Sequence, residues 1–353
     1  MKKLIIVFAV AISLLWQGAS SQNLIAVQNG GTPSFFTQVT TAIEEANGGD
    51  TIYIPGYIYS IGDVMGINKE LHIIGIGHNP DSTLSTGFTQ LNGNFYLSEG
   101  SSNGSIEGIF LNGRINFQSS SQYPSIVNGF SIARNNLTEI YFVIDGSQVR
   151  YTNNSIIENI IRNGITTNMN GASDDIQSNL ISNNIIPFNI SGLGYNNAIR
   201  NNIIGGKANL NTISNLNGCL LENNILLDVN SGGPTISNST FKNNLSLTSI
   251  FLYNLSGTNV FSNNITDALD NLFVNYPTLS DTYSYDFDFH LLQTSPGKNA
   301  GRDGTDIGIY GGTFPWKEGS IPFNPHFQSI QIAPTTDSIG NLNVNIKVAA
   351  QDH

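Results

Sequence analysis

The sequence predicts an all-β fold, a parallel β-helix of about eleven coils with an N-terminal helical cap. The main observation is a pair of adjacent Asn residues that recurs with its first member at Asn135, Asn153, Asn183, Asn201, Asn223, Asn243 and Asn263. A second observation is that aliphatic and β-branched residues flank these pairs, which favours short strands over helices. A repeat of about 20 residues is the size of one coil in a stacked solenoid. About 225 residues of coil sequence, divided by about 20 residues per coil, give about eleven coils.

The Asn pairs are interpreted as corners between strands. In "NAIRNNII" we expect Ile199 and Ile203 to point inward and Arg200 to point outward. Asn tolerates the left-handed conformation that a sharp corner needs, and stacked amides can form a hydrogen-bonded ladder. A direct role of the Asn pairs in ligand binding is the alternative interpretation.

Composition narrows the classes of partner. Only 11% of residues are charged, against roughly 25% in ordinary domains, and the formal net charge is −11. An acidic chain of this kind is not expected to bind nucleic acid or an anionic membrane surface. The single cysteine, Cys219, shares the inward parity of Leu221 and is expected to be a small buried apolar residue.

The two ends of the chain carry different signals. Residues 1–21 have two lysines, a short apolar run and small residues, which is typical of a secretory signal peptide. We therefore expect a secreted, extracellular or cell-surface bacterial protein, with no membrane insertion after cleavage. A cap helix is predicted over residues 35–48. Beyond the coils, residues 313–353 are rich in proline at first and then alternate in polarity, which predicts a linker and a short β tail.

Three motifs carry a resemblance to a known family. They are "ANGGDTIYIPG", "KELHIIGIG" and the ending "DFHLLQTSPGKNAGRDGTDIGIYGG", which spans Asp288 to Gly312. The sequence resembles the pectin-lyase-like right-handed parallel β-helix superfamily, and its ending is similar to that of secreted β-helix repeat proteins from Bacteroidetes. The resemblance implies a right-handed β-helix over residues 35–312 with a closing segment at 281–312. It implies no single activity, because the superfamily includes lyases, hydrolases, epimerases and adhesins.

The candidate catalytic residues come from two places. Arg200, Glu222 and Lys242 fall on one predicted outward column, where a carboxylate beside basic groups could serve a lyase. Asp174 and Asp175 form the only adjacent Asp pair, but neighbours on a strand point to opposite faces, which favours a structural loop.

The closing segment contains candidate calcium ligands. Asp286, Asp288, Asp303 and Asp306 lie close together in the sequence, and carboxylates of this kind can bind calcium. The alternative is that each Asp caps a turn through its own local hydrogen bonds.

The functional hypothesis is a secreted or cell-surface β-helix, non-catalytic, that binds carbohydrate or acts as an adhesive scaffold. The expected partner is a polysaccharide or cell-surface glycan, with Tyr141, Tyr195, Tyr253 and Tyr285 as candidates for stacking on sugars, and we expect a monomer. The alternative is a lyase or glycoside hydrolase that acts on an acidic polysaccharide. An outward groove that holds two carboxylates and a basic group would favour the enzyme, and a flat uncharged face would favour the binder.

Overall fold

A computed structural model describes residues 23–118, 125–145, 149–206, 212–227, 235–249, 257–280, 282–323 and 325–349. The predicted signal peptide, residues 1–21, lies outside these residues. Across the described part of the chain, no helix has both the length and the apolar character needed to cross a bilayer.

The chain forms a parallel β-helix, as the sequence predicts. Its first sheet contains, in spatial order, Ser34–Phe36, Ile25–Gln28, Asp50–Tyr53, Leu71–Ile74, Ser105–Glu107, Ser131–Ala133, Ser155–Ile157, Leu180–Ser182, Ala198–Arg200, Leu220–Glu222, Thr240–Lys242 and Val260–Ser262. The strands from Asp50–Tyr53 onward pair in parallel, while the first two are antiparallel to their neighbours.

The second sheet continues each coil past the corner. It contains Tyr57–Ile67, Thr89–Leu97, Phe110–Phe117, Asn136–Phe142, Ile160–Ile161, Ile165–Thr167, Ile185–Ile186, Ile190–Ser191, Ile203–Ile204, Ile213–Ser214, Ile225–Leu226, Leu245–Ser246 and Ile265–Thr266. The third side is formed by Ser125–Asn128, Val149–Thr152 and Ile176–Gln177, followed by the pair Leu216–Asn217 and Ile236–Ser237.

The estimate of about eleven coils is slightly too high. Within the described residues, ten parallel strands stack in the first sheet, from Asp50–Tyr53 to Val260–Ser262. Several early coils exceed the 20-residue average, because paired residues of the first sheet are 33 positions apart from His72 to Ser105 and 26 apart from Ser105 to Ser131. The longest of these coils has an extra segment between Leu71–Ile74 and Thr89–Leu97, which includes the turn Pro80–Ser82. Fewer coils therefore account for the same length of chain.

The interior is a column of aliphatic side chains. In the first sheet Ile156, Ile181 and Ile199 are in register from coil to coil and are fully buried. Each of these side chains stacks on an apolar neighbour of the next coil, so every coil contributes hydrophobic burial to the stability of the β-helix. Cys219 is buried as predicted, and burial raises the pKa of its thiol to about 12, so it is not a reactive nucleophile.

The second residue of the typical Asn pair forms the predicted ladder. The Asn202 amide donates to Oδ1 of Asn224 at 3.0 Å, and its own Oδ1 accepts from Asn184. The ladder runs through Asn135, Asn159, Asn184, Asn202, Asn224, Asn244 and Asn264. A second ladder, Asn154–Asn179–Asn197, lies at the opposite end of the same strands. The strands Ser155–Ile157, Leu180–Ser182 and Ala198–Arg200 thus have a hydrogen-bonded Asn corner at each end.

The residue before each ladder Asn has a different role. Asn183, Asn201 and Asn223 have φ between 53° and 58°, in the left-handed region. Their side chains point outward and hold residues 300–323, which we call the strap. The Asn183 amide donates to the carbonyl oxygens of Ile309 and Gly311, and Oδ1 of Asn223 accepts from the Arg302 backbone N–H at 2.9 Å.

The strap runs along the outside of the coils, against their order. Near its start, Ala300 accepts from the Asn243 amide, and near its end the Phe323 N–H donates to Glu107. Residues 313–323, where the sequence indicates a linker, therefore lie against the β-helix. Arg134 and Glu158 occupy left-handed corner positions near the end of the strap and form a buried ion pair with Nε to Oε2 at 3.0 Å.

The N-terminal end is covered by a helix, Val39–Glu45, with Val39, Ala42 and Ile43 buried. It is shorter than the predicted span of 35–48. Residues 34–36 instead form a strand, because they pair with Ile25–Gln28 at the edge of the first sheet. The Lys69 ammonium donates to the Glu44 and Ala46 carbonyl oxygens and so stabilises the C-terminus of the helix.

The remaining elements are short. They are the antiparallel pair Phe273–Asn275 and Asp288–Leu291, the antiparallel pair His326–Ile332 and Val344–Ala349, and 3₁₀ turns at Pro80–Ser82, Leu269–Asn271 and Glu318–Ser320.

Candidate functional site

A groove lies between the strap and the outward column of the first sheet. We call it the strap groove. Its volume is about 430 Å³, and it is lined on the coil side by Leu180, Ser182, Asn183, Arg200, Asn201, Glu222 and Asn223, and on the strap side by Arg302, Asp303, Gly312, Thr313 and Phe314. Its walls thus combine charged groups, amides and an aromatic ring, and they come from two distant parts of the chain.

The Glu222 carboxylate is the centre of the charged groups in the strap groove. Its Oε2 lies 3.4 Å from Nε of Arg200, and its Oε1 accepts from Nη1 of Arg302 at 3.0 Å. Glu222 is buried, while both guanidinium groups are exposed for about half of their side-chain area. Oε1 therefore accepts a hydrogen bond, whereas Nε of Arg200 is buried and makes none among the described residues. Both arginines keep further N–H groups available to a ligand.

The register of the first sheet places these groups. Arg200 pairs with Glu222, and Glu222 pairs with Lys242, in the parallel ladders of three successive coils. Arg302 enters from the strap, where its backbone N–H is fixed by Asn223. The sequence identifies Arg200, Glu222 and Lys242 as one column but gives no signal for Arg302, which is 80 residues from Glu222.

Asp303 and Phe314 complete the strap side of the groove. The Thr305 hydroxyl donates to Asp303, and this bond holds the pKa of the Asp303 carboxyl below its usual range. Asp303 is therefore ionised at neutral pH and is not a proton donor. Phe314 is 66% exposed, which leaves its ring face open to a ligand. The groove residues Arg200, Arg302, Glu222 and Asp303 sum to a formal charge of zero.

The other candidate catalytic residues lie elsewhere. Asp174 and Asp175 do not line the strap groove. The Asp174 carbonyl oxygen accepts from the Gln177 side chain, and the Asp175 carboxylate lies 3.4 Å from the Ser173 hydroxyl. These contacts are those of a tight turn between strands, and the structure does not bring the pair to Glu222.

The four candidate calcium ligands are engaged separately. Asp286 accepts from Ser284, Asp288 pairs with His290 at 2.7 Å, Asp303 accepts from Thr305, and Asp306 pairs with Lys298 at 2.7 Å. Among the residues that the structure describes, no group of three or more His, Cys, Asp or Glu side chains could hold a metal ion. The carboxylates do not fit a shared calcium ion, because each is turned toward its own local partner.

The candidate aromatic residues are dispersed. Tyr285 has its hydroxyl bonded to His78 and Asn136, while Tyr141 lies under the Arg114 guanidinium and Tyr195 packs at Gly218. Tyr253 lies outside the described residues. None of the three described tyrosines lines the strap groove, and the exposed ring there belongs to Phe314.

A small polar cavity of about 50 Å³ lies farther along the strap, between His78, Tyr285 and Glu318. The Tyr285 hydroxyl donates its proton to the His78 carbonyl oxygen. The hydroxyl oxygen therefore accepts from Nδ1 of His78, 2.9 Å away, and the imidazole proton is on Nδ1. Nε2 of His78 is then a bare acceptor, buried and without a hydrogen-bond partner among the described residues. Burial, with a smaller effect from Arg162, lowers the pKa of His78 to about 3.

This buried histidine predicts a pH dependence. Because the unfolded chain takes up the proton near pH 6.5 and the folded chain does not, stability should fall as the pH drops from 6.5 toward 3. We expect the His78 contribution to the free energy of unfolding to be about 2 kcal/mol lower at pH 5 than at pH 7.5. Urea denaturation of wild type and His78→Gln at both pH values checks this. An equal loss in the two proteins would contradict it.

Comparisons with known proteins identify no family for this chain. No family model and no curated protein matches the sequence. One similar solved structure is a mutant alginate lyase of polysaccharide lyase family 6, with 16% identity and a TM-score of 0.38 over 63% of this chain and 39% of the lyase. Another is ORF18 of Geobacillus virus E2, with 15% identity and a TM-score of 0.31 over 59% and 48%.

A third is the catalytic domain of a family 87 α-1,3-glucanase in complex with nigerose. It has 11% identity and a TM-score of 0.26, over 65% of this chain and 66% of that domain. The chain spans about two fifths of the length of the alginate lyase. Identities and scores this low carry no information on activity, so the function rests on the chain's own residues.

Proposed function

We propose that this protein is a secreted or cell-surface β-helix that binds a polysaccharide in the strap groove without cleaving it. The observation that carries the proposal is the arrangement around Glu222. One buried carboxylate orients two exposed guanidinium groups, Arg200 and Arg302, in a groove that also presents the Phe314 ring. Oriented N–H donors beside an exposed aromatic ring suit sugar hydroxyls and the apolar face of a pyranose.

The same geometry favours binding over chemistry. Hydrolysis of a glycosidic bond needs a protonated acid beside the leaving group, yet Asp303 is ionised. Oε1 of Glu222 accepts from Arg302, and its Oε2 lies 3.4 Å from Nε of Arg200. The groove does contain two carboxylates and basic groups, the pattern that we expected of an enzyme. Because these charges cancel within the groove, we propose a neutral or weakly charged glycan in preference to a polyanion.

Affinity electrophoresis of the purified protein in gels with neutral or acidic polysaccharides tests the proposal. We expect retardation by at least one neutral polysaccharide. Phe314→Ala and Arg302→Ala should each raise the dissociation constant for that polysaccharide about tenfold, or about 1.4 kcal/mol. Tyr57→Ala and Arg150→Ala are matched controls, because both residues are exposed and lie outside the groove. They should leave the retardation unchanged.

Two results would contradict the proposal. One is equal retardation of the groove variants and the controls. The other is the release of new reducing ends or unsaturated uronides by wild type but not by Glu222→Gln, which would support the lyase or hydrolase alternative.

A further inference from the structure

The last two strands that the structure describes, His326–Ile332 and Val344–Ala349, form a hairpin, which we call the tail hairpin. Within the described residues no third strand joins this sheet. Its base is fixed to the β-helix, because the Ser85 N–H donates to the Gln328 carbonyl oxygen and Nε2 of His326 lies 3.2 Å from the Ser82 carbonyl oxygen. A hairpin of two strands is only marginally stable in water unless one face is covered.

One face of the tail hairpin is apolar throughout. The cross-strand pairs on it are Phe327–Val348, Ile330–Ile346 and Ile332–Val344. All six side chains are between 39% and 60% exposed. The alternate pairs, Ser329–Lys347 and Gln331–Asn345, are polar. The hairpin thus has the alternation of a half-buried sheet, but its apolar face is not buried against the β-helix.

A contiguous apolar face of this kind marks an interaction surface. We propose that it is the interface of a homodimer, in which the tail hairpins of two copies pack face to face across a two-fold axis. A sheet face of five β-branched residues and one phenylalanine can pack on its own copy, because the side chains of two such sheets interdigitate in a β-sandwich. This inference is independent of the strap groove, and it differs from the monomer expected from the sequence.

Area and charge both fit a second copy. Covering six half-exposed side chains in each of two copies buries on the order of 1,000 Å², which is the lower limit for a specific interface. Residues 325–349 contain one Asp and one Lys, Asp337 and Lys347, and their formal charges cancel. The charges that make up the net −11 therefore lie outside the hairpin, so two hairpins in contact do not place like charges against each other.

The interface is small, so we expect a reversible dimer with a dissociation constant on the order of 10 µM. Sedimentation velocity of the full chain at concentrations from about 1 to about 200 µM measures it. The test variant is Ile346→Lys, which places a charge in the centre of the apolar face. Its control is Asn345→Lys, which places the same charge one residue away on the polar face.

The expected result is a concentration-dependent dimer for wild type and Asn345→Lys, and a dissociation constant at least about tenfold higher for Ile346→Lys. Circular dichroism should show the same β content for all three proteins. A wild-type chain that stays monomeric over the whole range would overturn the proposal, as would equal dimerisation of the two variants. Binding of a monomeric wild type to neutral lipid vesicles would also overturn it, by assigning the face to a membrane.

Discussion

Arg134→Ala is expected to lower the free energy of unfolding by about 3–5 kcal/mol, among the largest effects of any single polar substitution in this chain. Arg134 is 2% exposed, and its guanidinium forms a two-point contact with Glu158 at 3.0 and 3.3 Å. It also donates to the Ile321 carbonyl oxygen and lies 3.7 Å from the centre of the Phe323 ring. Its removal leaves the Glu158 carboxylate buried without this partner and takes away two of the contacts that hold the end of the strap.

Arg114→Ala is the matched control for this prediction. Arg114 also pairs with a glutamate, Glu139, at 2.8 Å, but half of its side chain is exposed. Glu139 itself is buried, but it keeps a hydrogen bond from the Thr166 hydroxyl, and the place of Arg114 is open to water, so we expect a loss below about 1 kcal/mol. Urea denaturation of both variants and wild type measures the difference. Equal losses for the two substitutions would show that burial does not make the Arg134–Glu158 pair more important for stability than the Arg114–Glu139 pair.

Asn202→Ala is expected to cost at least about 3 kcal/mol, because several buried polar groups lose their partners at once. The Asn202 amide donates to the carbonyl oxygens of Ile181 and Arg200 and to Oδ1 of Asn224, and its Oδ1 accepts from the backbone and side chain of Asn184. Alanine removes all five bonds in the middle of the ladder. Asn202→Asp should be about as harmful, because a carboxylate would face carbonyl oxygens.

The end of the same ladder supplies the comparison. Asn264 is only partly buried; it accepts from Asn244 and donates to the Phe241 carbonyl oxygen. Asn264→Ala should therefore cost about 1 kcal/mol, since water can replace the lost partners there. Thermal and urea denaturation of the three variants checks the order. A loss at position 264 as large as that at position 202 would show that burial does not set the strength of the ladder.

The periodic part of this protein could be predicted from its sequence. The Asn repeat and the alternation around Ile199 gave the parallel β-helix, the inward aliphatic column and the outward column of Arg200, Glu222 and Lys242. These features are local, because a coil contacts the next coil in register and a repeat in the sequence becomes a neighbour in space. The same logic missed the number of coils, since the coils from His72 to Ser105 and from Ser105 to Ser131 are longer than the regular repeat.

The non-periodic part depended on the tertiary structure. The sequence contains the pair Asn201–Asn202 but does not show that Asn202 joins the ladder while Asn201 holds the strap. The contact of Arg302 with Glu222 and the uncovered face of the tail hairpin depend on where the strap and the hairpin lie against the coils. Neither segment repeats, so no spacing in the sequence encodes its partner; only packing and the pairing of buried polar groups decide it.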